Sequence, residues 1–258
     1  MRTVFFAWLT DDFKDTIIDF TGFEKSFKHF HPDIDLKIFN SAEVKELFAR
    51  KPWLNYCNCK ASFAKELYND YDLVVNVDAD FYFFDRCEEI LAGDYEVAGC
   101  ANYNRLVNTT ISPRKIGDWD IPSIDARQYL QGGLIASTSK QWWDDYEDAS
   151  RELADKLPMA ENDVLNVLWY TGKYKTKVLD GDVDFNSPNF KAYYNCAALN
   201  REREVVVKDD KLYLDGRPMR SYHVAKGNQG VGGNRKQRMH EIFPAPAAEW
   251  FRTKVLGQ

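Results

Sequence analysis

Two carboxylates stand one residue apart at Asp78 and Asp80, directly after the apolar run Leu73-Val74-Val75-Asn76-Val77. Such a run is typical of a parallel strand buried on both faces. The acids then sit at its carboxyl end, where α/β sheets bind their ligands. Two carboxylates so placed can turn towards one hard cation. Mn²⁺ or Mg²⁺ takes oxygen ligands of this kind and keeps positions open for phosphate oxygens. An ion held there can neutralise charge on a departing diphosphate. An isolated Asp-x-Asp is common and usually marks a solvated turn. The reading therefore rests on the strand before the pair and on the apolar run Phe81-Tyr82-Phe83-Phe84 after it. Asp85 reads as the cap of a helix starting at Arg86, with Glu88 completing a capping box.

The elements that must position this pair follow from periodicity. Val4 to Leu9 reads as a buried strand, and Phe13 to Phe30 carries its aromatics at helical spacing. Ile34 to Phe39 alternates like a strand, and Asn40-Ser41-Ala42-Glu43 opens a helix through Phe48. Tyr56 to Tyr68 predicts an amphipathic helix. Val97 to Cys100 and Leu134 to Ala136 are further strands, and Trp142 to Leu157 and Asp163 to Tyr170 further helices. Arg203 to Leu214 has a hairpin pattern turning at Lys208-Asp209-Asp210, and Ser221 to Val224 is a short strand. Alternating strands and helices predict a doubly wound α/β fold. The long irregular segment from Asn102 to Gln128 suits a lid or an acceptor loop. The expected division is a catalytic domain over residues 1–235 and a C-terminal tail or helix over 236–258. That tail would pack on the domain, associate with another chain or rest on a membrane.

Composition narrows the partners. The chain has 258 residues, 45% of them apolar and 29% charged, with a formal net charge of −6. An acidic chain lacks the clustered positive field that nucleic acid requires, so nucleic acid is not an expected partner. The one basic cluster, Asn234 to Arg238, suits a solvated loop, with a phosphate or peripheral membrane contact as the alternative. Five cysteines without a CxxC pair suit reduced thiols in a cytoplasmic protein. The apolar start at Val4 is followed at once by Asp11 and Asp12, which fits a first strand better than a signal sequence. No apolar run approaches the ~18 residues of a membrane span.

The stretch from Tyr71 to Asp80 resembles the metal-binding strand of glycosyltransferases with the GT-A fold. It is most similar to family 8, the retaining galactosyl-, glucosyl- and glycogenin-type enzymes. Further segments follow in that family's order over roughly residues 3 to 230. Gln131-Gly132-Gly133-Leu134-Ile135 resembles an N-A-G-V-M strand whose first residue faces the donor sugar, with Gln in place of Asn. Glu161-Asn162-Asp163-Val164-Leu165-Asn166 is similar to D-Q-D-x-L-N at a helix start. The resemblance implies that Glu161 binds donor-sugar hydroxyls, that Asn162 sits beneath the anomeric carbon, and that Asp163 contacts the sugar or orients the site. Phe185-Asn186 matches an F-N pair, which places Asn186 at the donor.

Ser221-Tyr222-His223-Val224 with Lys226-Gly227 resembles the H-x-x-G-x-x-K-P-W element, where the histidine is the third metal ligand and the lysine grips the diphosphate. Here the glycine falls one residue late and Lys-Pro-Trp is absent, which leaves the phosphate role to Lys226 or Arg235. Ala7 with Thr10 and Asp12 is loosely similar to the A-x-D-x-x-Y nucleotide region, and Lys60 occupies the neighbourhood of a basic residue that meets the donor. The resemblance thus implies a mostly parallel GT-A sheet flanked by helices with a small C-terminal hairpin. It also implies a Mn²⁺- or Mg²⁺-dependent transfer from a UDP-sugar or other nucleoside-diphosphate sugar, with retention. The acceptor, whether glycan, lipid-linked or protein, is not legible.

Bland explanations compete residue by residue. His223 suits a satisfied structural histidine, and Glu161 and Asp163 suit a helix N-terminus whose dipole they complement. Gln131 suits the start of a strand, although the two glycines after it point to close approach by backbone or ligand. Asn162 is a poor nucleophile, so same-face attack by the acceptor is one route, and Glu161 or Asp163 as covalent nucleophile is another. Two other functions fit less fully. A sugar nucleotidyltransferase would carry a Gly-rich basic loop after its first strand, which Ala7 to Phe13 lacks. A non-catalytic nucleotide- or glycan-binding module of the same fold remains the second alternative.

Overall fold

The computed structural model describes residues 1–11, 20–101, 111–125, 128–179, 205–214, 216–223 and 245–258. They fall into two compact units. The first comprises Met1–Trp8, Asp35–Val77 and Glu88–Leu179, and the second Leu9–Ile34, Asp78–Cys87 and Asp180–Gln258.

The first unit is built on a six-stranded sheet. Its strands are β1 (Thr3–Trp8), β2 (Asp35–Phe39), β3 (Leu73–Val77), β5 (Val97–Ala101), β8 (Leu130–Ser137) and β9 (Thr176–Leu179), in the order β2-β1-β3-β8-β5-β9. β1 is parallel to β2 and β3, and β5 is parallel to β9, whereas β8 runs antiparallel to both its neighbours. The sheet is therefore mostly parallel, as expected. All five residues of β3 are buried, which accounts for its unbroken β-branched character.

Helices α2 (Ser41–Arg50), α3 (Lys60–Lys65), α5 (Lys140–Leu153) and α6 (Glu161–Trp169) supply Leu47, Phe63, Trp142, Trp143 and Leu165 to one apolar cluster with Val4, Phe6, Val74 and Ile135 of the sheet. α2 opens with the capping box expected of Asn40 and Glu43. α3 is shorter than the Tyr56 to Tyr68 periodicity predicts. The Asn58 side chain accepts from the Asn55 N–H, and the Asn55 side chain accepts from the Cys57 N–H. These local bonds hold the first residues in turns, because Asn side chains compete with the helix for backbone groups. The short helix α4 (Glu88–Leu91) and the β6 (Arg114–Ile116) and β7 (Trp119–Ile121) hairpin complete the unit.

In the second unit, β4 (Phe81–Phe83) pairs antiparallel with β13 (Ser221–His223). Helix α1 (Phe20–Phe30) lies on β4, with Phe27 edge-on to Phe83 and the Ser26 hydroxyl accepting the Phe83 N–H. The expected C-terminal hairpin is β10 (Val205–Lys208) with β11 (Lys211–Leu214), joined through Asp209 and Asp210, both at positive φ, with β12 (Arg217–Pro218) beside β11. Two successive positive-φ residues make a hairpin turn whose twist suits the strands. Helix α7 (Ala245–Lys254) buries Ala247, Ala248, Trp250 and Phe251 in a cluster with Tyr82, Phe84, Leu212 and Met219. Asp85 departs from its expected capping role. The nearest helix starts only at Glu88, and the Asp85 carboxylate takes Lys211 at 2.9 Å and Arg220 instead. No helix of the described residues is long and apolar enough to cross a membrane.

Candidate active site

In the first unit the expected residues of α3, β8 and α6 meet. β8 extends beyond the carboxyl end of β3, because the last β3 pair is Val77 with Leu134 and the strand begins at Leu130. Its pairing with β5 also shifts there, from Gly99 opposite Ile135 to Cys100 opposite Gln131. Neither β3, which pairs no further than Leu134, nor β5 pairs with Gly132, and side chains bond its backbone instead. The Gly132 carbonyl accepts from Lys60 Nζ at 2.6 Å, and the Gly132 N–H donates to Asn162 Oδ1 at 2.7 Å. A Cβ on Gly132 would lie 2.7 Å from Asn162 Oδ1, so any larger residue here would have to displace that carboxamide.

Lys60 is buried at 4% exposure, yet it is a charged residue. Burial of a cation needs paired partners. Its ammonium reaches Glu161 Oε1 at 3.5 Å and lies 5.9 Å from the centroid of the Trp8 ring, which stacks on Phe63. The same surroundings act on Cys59, whose thiol is pushed up by burial and so stays protonated. A cation, a carboxylate, a carboxamide and a partly buried indole thus lie in one neighbourhood. Amide and carboxylate groups with an aromatic face suit the hydroxyls and C–H surfaces of a sugar.

The start of α6 is held firmly. Ala160, just before Glu161, has φ 46° and ψ −123°, a conformation costing a non-glycine residue roughly 1–3 kcal/mol. Asp163 fixes the turn, with Oδ1 accepting from the Tyr129 hydroxyl at 2.7 Å and Oδ2 from the Met159 N–H at 3.0 Å. Burial, with the Asp163 charge beside it, drives the Tyr129 phenol well above its ordinary range and keeps the proton on it. Both Asp163 oxygens are therefore engaged by the protein itself. Gln131 is half-buried on β8, and Ala7 is buried on β1 opposite Ile38.

In the second unit, Asp78 and Asp80 are half-buried on either side of buried Ala79, and the Phe81 N–H closes the turn onto the Asp78 carbonyl at 3.1 Å. The backbone of His223 pairs with that of Phe81, the residue after Asp80. Two carboxylates are a suitable donor set for Mn²⁺ or Mg²⁺. Among the described side chains, no three His, Cys, Asp or Glu groups converge as a metal cluster, and the His223 side chain is not one of those described. Thr10 is buried and its hydroxyl meets no hydrogen-bond partner among the described residues. Asp12, Asn186, Lys226 and Arg235 lie outside the described residues.

Sequence reasoning assigned no role to Asn166 or Trp8. The signal for Asn166 was present, since an amide inside Val164-Leu165-Asn166-Val167-Leu168 must find partners once buried. It makes three hydrogen bonds: Oδ1 with the Leu130 N–H, and Nδ2 with the carbonyls of Leu130 and Asn162.

Comparison with solved structures places this architecture. An active-site mutant of LgtC superposes with a TM-score of 0.57 at 17% identity, covering 99% of this chain and 95% of that one. The galactosyltransferase LgtC in complex with donor and acceptor sugar analogues gives 0.51 at 16% identity over the same shares. The bifunctional glycosyltransferase WbbM gives 0.56 at 10% identity, covering 98% of this chain and 49% of that one. The fold is the GT-A fold of glycosyltransferases. No family model matches the chain, and no curated protein matches it by sequence. At such identities the likeness concerns the fold, and function in a GT-A chain has to be argued from its own residues.

Proposed function

We infer that the chain transfers a sugar from a nucleoside-diphosphate sugar, with UDP-sugars the first donors to test, to an acceptor hydroxyl, with retention at the anomeric carbon. The observation that carries this reading is the Lys60–Glu161–Gly132–Asn162 cluster, in which Lys60 and Gly132 are buried and Glu161 and Asn162 half-buried. It is polar, partly charged and close-fitted where β8 passes the carboxyl end of β3.

Asp78, Asp80 and His223 would hold Mn²⁺ or Mg²⁺, which when bound would offset the charge on the leaving diphosphate. Lys226 or Arg235 would add positive charge to the same group. Glu161 and Gln131 would bind sugar hydroxyls, with Lys60 Nζ 3.5 Å from Glu161 Oε1 helping to hold that carboxylate in place. The bond from the anomeric carbon to the diphosphate oxygen breaks with its electron pair on the diphosphate. The acceptor oxygen bonds to the anomeric carbon on the same face, and its proton passes to the departing phosphate. Asp163 is occupied by Tyr129 and Met159, which disfavours it as a covalent nucleophile.

The test is a screen of nucleotide sugars for slow hydrolysis with Mn²⁺ and with excess chelator. Metal-dependent release of UDP from one donor is expected. UDP binding strengthened by Mn²⁺, with no turnover of any donor, would replace the transferase by a binding module.

A further inference from the structure

We propose that Asn166 is a positioning residue, a buried carboxamide that splices helix α6 onto strand β8 and thereby presents Asn162 as a hydrogen-bond donor. This deepens the transferase reading and rests on it for the role of Asn162, but the splice itself stands on geometry alone.

Leu130 and Gly132 alternate along β8, so their backbone groups point to the same edge. β3 pairs with β8 no further than Leu134, which leaves that edge without a strand. Asn162 and Asn166 are four residues apart on α6 and share one helix face. They take the strand's place, Asn166 bonding both backbone groups of Leu130 and Asn162 bonding the Gly132 N–H. The second amide proton of Asn166 goes to the Asn162 carbonyl at 2.7 Å, so the two asparagines are tied in one unit. Asn166 is fully buried and spends its oxygen and both amide protons within this splice.

The partners also fix which way each amide faces. Gly132 offers an N–H, so the atom of Asn162 that meets it must be the oxygen. The amide protons are then the end of Asn162 left to meet a ligand, and Asn162 is only partly buried. A carboxamide whose oxygen is engaged by a backbone N–H is a weaker nucleophile still. It is well arranged to donate to an oxygen of the sugar or of the departing diphosphate.

The test uses the full-length protein with Asn166→Asp, an isosteric change, and Asn166→Leu as a second variant. Asp keeps an acceptor for the Leu130 N–H but loses both donors, and its charge faces two carbonyls. Amide exchange at Leu130 and Gly132 is followed by NMR, and hydrolysis of UDP-galactose and UDP-glucose is measured with Mn²⁺. In folded Asn166→Asp the Gly132 amide should exchange at least ~10-fold faster. The kcat should fall by up to about 100-fold, as expected of a small misplacement, with KM within about twofold. Lowering the pH towards ~5.5 should restore part of kcat in Asn166→Asp alone, because a buried carboxyl with a raised pKa becomes protonated and donates again.

Unchanged Gly132 exchange in both variants would overturn the splice. Wild-type kcat in Asn166→Asp, or a loss of kcat unaltered by pH, would overturn the positioning role. If the wild-type chain hydrolyses neither donor, the transferase reading fails for those donors, while the exchange data still decide the splice.

Discussion

The Gly132 N–H and the Asn162 carboxamide oxygen meet at 2.7 Å, and the same distance separates that oxygen from where a Cβ on residue 132 would be. Gly132→Ala must therefore push Asn162 aside or lose the bond. The expected result is a folded protein whose donor turnover drops by roughly 10–100-fold, the scale of a displaced positioning group. Circular dichroism and UDP-release kinetics check it, and wild-type turnover in this variant would remove Asn162 from the site.

Asp80 is half-buried just after β3 and is not among the buried core residues. Asp80→Ala should abolish metal-dependent turnover while the thermal transition moves by less than about 1 kcal/mol in stability. Isothermal titration of UDP should lose its dependence on Mn²⁺. Full activity of this variant, or of the wild type in excess chelator, would sink the metal assignment.

Glu147 on α5 gathers Lys51, Ser62 and Lys65, the last at 3.0 Å. Burial alone would raise its carboxyl, but the three hydrogen bonds outweigh this and hold it below the ordinary carboxylate range. A depressed carboxyl stabilises the fold above its unfolded value and loses that contribution as pH falls through the folded one. Glu147→Ala leaves two lysines without their shared partner and should cost roughly 2–4 kcal/mol at pH 7, less in strong acid. Urea denaturation at the two pH values measures the difference.

His31 behaves oppositely in charge but alike in sign. It is buried between Phe27 and Phe83, and its Nε2 accepts the Cys87 N–H at 3.1 Å. Burial pushes its pKa down to about 4 from 6.5. The unfolded chain therefore binds a proton first as pH falls. Stability from this group is complete above about pH 6.5 and declines towards pH 4, with the unfolding constant rising about tenfold per pH unit. His31→Phe should flatten that window while lowering stability by roughly 1–3 kcal/mol, because the Cys87 N–H loses its acceptor. A slope unchanged in the variant would assign the window to another group.

Local patterns explain which parts of this architecture were readable beforehand. β3 was legible because a strand buried on both faces has to be apolar throughout, and the Asn40–Glu43 cap because both of its bonds lie within four residues. The early part of the Tyr56 to Tyr68 helix was misread, since periodicity does not reveal that Asn55 and Asn58 spend their side chains on nearby backbone. Asp85 was misread for a different reason, because the cations that claim it, Lys211 and Arg220, come from more than a hundred residues away.

By itself the sequence determined the order of strands and helices, the acidic pair at a strand's carboxyl end and the polar residues opening α6, because each depends on neighbours in the chain. Only the tertiary structure decided that Lys60 is buried against Gly132 and Glu161, and that Asn162 and Asn166 stand in for a missing strand. Those contacts join segments separated by thirty residues or more, and their partners follow from where β3 stops and β8 continues. Residue types and spacing carry no record of that geometry.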